Sequence, residues 1–232
     1  MTSERALGRW TGAVYLLVVV TGIFCLGHVP GQINVPGQPV QTLANIVAHQ
    51  RLFQAGIAAF LVEQVAFLLL PLMLFRLLGH QHRWVAVSMV ALAVAAVPIA
   101  LVAVGHRLDA LAVLTDPHFG VLADPRLTQV LALQSLKAYA HGIAVASLFW
   151  GLWLLPFGYL VFKSGQLPKI LGVLLMLGGA GYQIDVFGPL LVPGYDTTAL
   201  SDHATLPASI GEIGTCLWLL VFGMRRRDQV SR

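Results

Sequence analysis

The sequence predicts an all-α fold, an integral membrane bundle of six transmembrane helices with both termini cytoplasmic. Three observations predict it. Of the 232 residues, 57% are hydrophobic and only 10% charged, and the mean hydropathy is +0.80. A soluble domain carries about a quarter charged residues. Six apolar stretches each approach the ~20 residues that a ~30 Å hydrocarbon core demands at ~1.5 Å per residue. Positive charges between them fall unevenly, and that bias orients a membrane protein.

The first span, 11–28, follows the basic stretch "MTSERALGRW". No small-residue cleavage site comes after it and further long spans do, so it reads as a membrane helix rather than a signal peptide. The connection 29–50 contains "TLANIVAHQRLF", whose amphipathic pattern suits a segment lying along the interface. The second span, 52–75, carries Glu63 near its centre, and the short basic loop "RLLGHQHRW" leads to the third, 84–106. In the loop 107–137, Asp116 and Asp124 each precede a proline and read as turn starters. The fourth span, 138–162, has a helical pattern continuing upstream through "LTQVLALQSLKAYAHG". "KSGQLPK" joins it to the fifth, 169–191, and the loop 192–205 leads to the sixth, 206–224. Together they form one membrane domain over residues 1–232.

Ten of the 14 Lys and Arg residues share one side: Arg5, Arg9, Arg76, Arg83, Lys163, Lys169, Arg225, Arg226, Arg227 and Arg232. The other side holds Arg51, Arg107, Arg126 and Lys137. Both termini are therefore expected in the cytoplasm. Because the basic residues sit at span ends rather than in patches, the net charge of +4 implies no nucleic-acid partner. Cys25 and Cys216 lie within apolar runs and read as packing residues, without a disulfide or a metal. No nucleotide-binding glycine motif, zinc-protease HExxH or nucleophile elbow occurs, and no cofactor is expected.

Three acids lie within spans: Glu63, Asp185 and Glu212. Counting along the helices places Glu63 near the midplane, with Asp185 ~7 Å and Glu212 ~4 Å toward the outside. No Lys or Arg is expected at that depth. An ionised acid there costs roughly 2.5–3.5 kcal/mol on insertion scales. At least one of the three is therefore expected to hold its proton at pH 7, with Gln64, Tyr182, Ser209 or Thr215 as hydrogen-bond partners. The ordinary alternative is that such acids merely tie helices together.

Polar and aromatic neighbours extend the candidate site. Gln54 and His141 lie nearer the outer surface, with His28, His49 and His106 around the outer mouth. The histidines show no HxxxH or HxxE spacing, so a metal is not assigned to them. Phe60 and Phe67 flank Glu63, Tyr182 stands one turn before Asp185, and Trp150, Trp153 and Trp218 lie on later spans. Aromatic faces around a protonated carboxyl would suit an apolar substrate passing through a cation. The candidate catalytic residues are Glu63, Asp185, Glu212 and His141. The candidate substrate-binding residues are Gln54, Phe60, Phe67, Trp150, Tyr182 and Trp218. Gly172, Gly178, Gly179, Gly181, Gly211 and Gly214 mark close helix approach, and Pro71, Pro98, Pro156 and Pro189 mark places where helices bend.

The stretches "GAVYLLVVVTGIF", "GYLVFKSGQLPKILGVLLMLGGAGYQID" and "IGEIGTCLWLLVFG" resemble the bacterial multi-pass membrane family known as domain of unknown function 4386. The resemblance runs from about residue 9 to 224. It implies a six-span bundle in the bacterial inner membrane and brings no established reaction. A looser, architectural likeness is to small helical-bundle terpene cyclases, which pair intramembrane acids with aromatic residues; no motif matches residue by residue.

Three functions fit these features. One is a cofactor-free enzyme with a buried acidic and aromatic cavity, cyclising or isomerising a lipid or isoprenoid by acid catalysis. There Glu63 or Asp185 is the general acid, and Glu212 or His141 its partner. The second is a small transporter or proton-coupled carrier, for which six spans without a repeat would need a homo-oligomer. The third is a non-catalytic membrane partner or ligand-binding subunit. In each case the expected partners are the membrane and a hydrophobic small molecule or lipid.

Overall fold

A computed structural model describes residues 2–116 and 124–224. The four arginines of the tail and the proline after Asp116 lie outside the described residues. Among the described residues every regular element is helical. α1, Thr2–Gly22, continues through a π-helical turn, Ile23–His28, into α2, Val29–Ile33. The first span therefore runs over Glu4–Ile33, longer at both ends than the apolar run alone suggests.

α3, Pro39–Ala48, is the predicted amphipathic segment, with Leu43 and Ile46 buried. Its proline sits in the first turn, where a missing N–H costs nothing. Two bonds fasten it to the chain before it. The Val35 N–H donates to Thr42 Oγ1 at 2.9 Å, and Asn45 Nδ2 donates to the Ile33 carbonyl at 3.0 Å. α4, Gln50–Leu78, and α5, Arg83–Thr115, run through Pro71 and Pro98 without interruption of the helix. α5 continues well past the predicted end at residue 106, so Arg107 lies inside a helix and not in a loop.

α6, Pro125–Leu152, starts where the upstream helical pattern begins. Asp124 caps it, with Oδ1 accepting from the Arg126 N–H at 3.0 Å. α7, Leu154–Ser164, follows after the single residue Trp153. Backbone bonds bridge the break, Trp153 N–H to Phe149 O and Phe157 N–H to Trp153 O. Pro156 explains it, because proline has no N–H for the Leu152 carbonyl four residues earlier. α7 stops at Gly165, whose φ of 62° is the left-handed cap that glycine adopts freely. α8, Lys169–Leu191, α9, Ala199–His203, and α10, Leu206–Phe222, complete the described chain.

Six helices are long and apolar enough to cross a membrane, and each buries only 22–50% of its most apolar window inside the protein. The rest, such as Val65, Val102, Leu190 and Leu191, is exposed on the isolated chain. In water such faces would aggregate; in lipid they are the solvent-facing surface.

The chain packs as two compact units, and α1, α4, α5 and α6 each contribute to both. The first comprises Met1–Val18, Ala66–Val97 and Val145–Arg232. Its helices approach through glycine. A Cβ on Gly172 would stand 2.6 Å from the Gly158 carbonyl oxygen, and one on Gly211 3.0 Å from the Leu175 nitrogen. Such contacts require the bare backbone, which is how helices associate in lipid. The second unit comprises Val19–Val65 and Pro98–Ala144. Gly142 plays the same part there, its added Cβ falling 2.6 Å from the Ala103 methyl.

Candidate functional site

The three acids divide between the units. Asp185 and Glu212 belong to the first unit, and Glu63 to the second. In the first unit, α10 places Glu212 so that Tyr15 of α1 donates its hydroxyl to Oε1 at 3.1 Å. Tyr15 is 1% exposed. It ends a row of aromatic rings from three helices. Phe67 meets Trp153 edge-on at 5.3 Å, Trp153 stacks on Phe157 at 5.1 Å, and Phe157 lies 6.4 Å from Tyr15. The row is buried throughout.

Asp185 takes a second phenol. Tyr195, in the short turn after α8, donates to Asp185 Oδ1 at 2.6 Å. Neither tyrosine was among the partners expected from sequence. Tyr15 is 197 residues from its acid, a separation no local pattern encodes. Tyr195 stands only ten residues from Asp185, but in a loop that had to fold back before the pair became visible. The expected partner Thr215 instead returns its hydroxyl to the Gly211 carbonyl at 2.7 Å. Trp218 packs against Phe222 at 4.5 Å, and Trp150 and Tyr182 are half-buried on α6 and α8. Gln183 stitches those two helices, Nε2 donating to the Leu148 carbonyl at 3.1 Å.

In the second unit Glu63 is 6% exposed, and the neighbouring Gln64 donates Nε2 to its Oε2 at 2.6 Å. This pair was expected from sequence, and the structure forms it. Phe60, one turn earlier, is fully buried, whereas Gln54 and His141 are exposed. His28 and His49 are exposed as well, and His106 pairs locally with Asp109 at 3.2 Å. Among the described residues no three His, Cys, Asp or Glu side chains come together as a metal site.

Arg107 is the residue that sequence reasoning misplaced. Assigned to an outer loop, it is a 6% exposed member of α5 in the same unit as Glu63. Its guanidinium lies over the rings of Tyr139 at 4.1 Å and Phe53 at 5.5 Å. Arg107 lies past the apolar run 84–105, beyond the depth expected for the three acids. In the first unit Arg5, Arg9, Arg76, Arg83, Lys163 and Lys169 are all exposed. The missed signal was "LDALAVLT", which keeps apolar residues at helical spacing after the polar "GHR". Ala110 and Leu111 within it are buried.

Comparison with known proteins adds lineage. A curated relative, an uncharacterized protein of Archaeoglobus fulgidus, is 31% identical over 105 residues. That match covers 45% of this chain and 60% of the relative, so the chain spans less than two thirds of that protein. No solved structure gives a significant match. The family described as Domain of unknown function (DUF4386) matches residues 10–223. With nearly all of its length matched and six spanning helices, the chain belongs to this family of multi-pass membrane proteins.

Proposed function

We propose that the protein is a cofactor-free membrane enzyme that isomerises or cyclises an apolar, isoprenoid-like substrate by acid catalysis, with Glu212 as the proton donor. One observation carries this reading: a carboxyl group set in an apolar helix, bonded by Tyr15, which itself ends a row of packed aromatic rings. The choice of Glu212 over Glu63 rests on the groups around each. Every described Lys and Arg of the first unit is exposed, so nothing there compensates an ionised carboxyl. Glu63 already takes a hydrogen bond from the adjacent Gln64.

In this scheme Tyr15 positions the carboxyl through Oε1. The proton leaves the acid for an alkene carbon or an epoxide oxygen, and the resulting cation rearranges near the ring faces. Loss of a proton from the final cation to Glu212 restores the acid, so substrate and product are isomers. The site is expected in the bacterial inner membrane, with both termini cytoplasmic.

Glu212→Gln tests the reading. The amide still accepts from Tyr15 but does not supply a comparable proton. Extracted lipids of cells producing the wild-type protein should contain a product absent both from cells with Glu212→Gln and from cells lacking the gene. If the Gln variant yields the same lipid profile as the wild type, Glu212 performs no acid catalysis.

A further inference from the structure

The cluster around Arg107 belongs to the second unit, and Glu212 to the first. The arginine's Nε and Nη1 are shielded from solvent and have no hydrogen-bond partner among the described residues. The rings of Tyr139 and Phe53 hold the cation by their faces, which leaves donors in the plane of the guanidinium unused. A buried donor without an acceptor destabilises the fold, and more so on a charged group. A chain selected for stability alone would bury a leucine or methionine more cheaply.

We propose that Arg107 binds the oxyanion head, a carboxylate or phosphate, of an amphiphile whose apolar chain lies in the membrane. Guanidinium is the side chain suited to such heads, through several charge-assisted bonds at once. The level along α5 is also suitable. The apolar run 84–105 covers ~33 Å at ~1.5 Å per residue, about one hydrocarbon thickness, and Arg107 follows one residue after it. That is headgroup level. The neighbours at that level, Phe53, Tyr139 and the buried Cys25, offer an apolar surface to a chain rather than an aqueous path to a free anion.

The test uses the full chain, purified in an uncharged detergent, and native mass spectrometry with four probes. These are dodecyl phosphate, dodecanoate, dodecyltrimethylammonium and inorganic phosphate. Wild-type protein should bind at least one anionic amphiphile tenfold or more tightly than the cationic one and than inorganic phosphate. Arg107→Met should lose that preference, and Arg107→Lys should keep part of it. Because Met removes a buried unpaired charge, that variant should unfold no more easily than ligand-free wild type. If Arg107→Met fails to fold, the Arg107→Lys affinity and the wild-type probe ranking decide alone. Equal binding of the cationic and anionic probes, or full anionic preference in a folded Arg107→Met variant, would overturn the proposal. Inorganic phosphate binding as tightly as dodecyl phosphate would overturn the assignment to an amphiphile.

Discussion

The bond between Tyr15 and Glu212 gives a measurable answer to whether the acid holds its proton. Tyr15→Phe removes one hydroxyl from a site with 1% exposure and leaves the ring row in place. Two magnitudes compete. Hydrogen bonds between membrane helices average ~0.6 kcal/mol with a maximum near ~1.7, because the unfolded chain in lipid also finds partners. A bond to an ionised carboxylate is roughly twice as strong as a neutral one. Making the substitution in two backgrounds separates the cases. In Glu212→Gln the acceptor is neutral by construction. With a protonated Glu212, Tyr15→Phe should cost about 0.6–1.7 kcal/mol in both backgrounds, with the two costs equal to within about 0.5. Unfolding by SDS in mixed micelles measures each difference. A cost at least 1 kcal/mol greater in the wild-type background would mean a carboxylate, and acid catalysis from Glu212 would fall. No cost in either background would mean that the bond at 3.1 Å does not form.

Packing and charge give three further outcomes. Gly172→Ala should destabilise by about 1–3 kcal/mol, since its methyl would stand 2.6 Å from the Gly158 carbonyl. Gly105→Ala, with nothing within 4 Å of the added carbon, should be neutral or stabilise by up to about 1 kcal/mol; the same micelle titration checks both, and reversal of their order would refute the close approach of α7 and α8. If the side holding ten of 14 basic residues is cytoplasmic, as the charge bias predicts, a green fluorescent protein fused after Arg232 should fluoresce in a bacterial host. An active periplasmic phosphatase fused at the same point would reverse the orientation.

The spans were legible because hydropathy acts over some twenty residues and needs no tertiary information. The glycine-rich face of α8 was legible for a related reason: small residues on a lipid-embedded helix have few uses besides close approach. The bond from Gln64 to Glu63 joins neighbours, and adjacency alone suggests it; Asp124, expected as a turn starter, instead caps α6. What failed was an inference from polarity. The predicted span 84–106 stops at the polar "GHR", whose arginine is the first residue it excludes. The helix persists to Thr115 because Ala110 and Leu111 still have a buried face to occupy. Backbone hydrogen bonding in an apolar medium favours continuing a helix over exposing free carbonyls. The phenols on Asp185 and Glu212 were out of reach for the opposite reason, since both pairs arise only when separate segments meet.

Buried polar groups in this protein differ in whether the chain satisfies them. Thr11 returns its hydroxyl to Leu7, Thr215 to Gly211, Glu63 receives Gln64, and each remaining intramembrane acid receives a tyrosine. Such groups cost little once paired, and removing a donor is what destabilises them. Arg107 reverses that logic. Two of its nitrogens lack acceptors, so the folded chain bears the cost and a bound oxyanion would remove it. The two kinds of group therefore respond oppositely to truncation: Tyr15→Phe should lower stability without ligand, whereas Arg107→Met should not. Only loss at Arg107 should erase the stabilisation that an anionic amphiphile confers. A protein in which both substitutions behaved alike would contain no ligand-dependent polar site in its second unit, whatever chemistry Glu212 performs in the first.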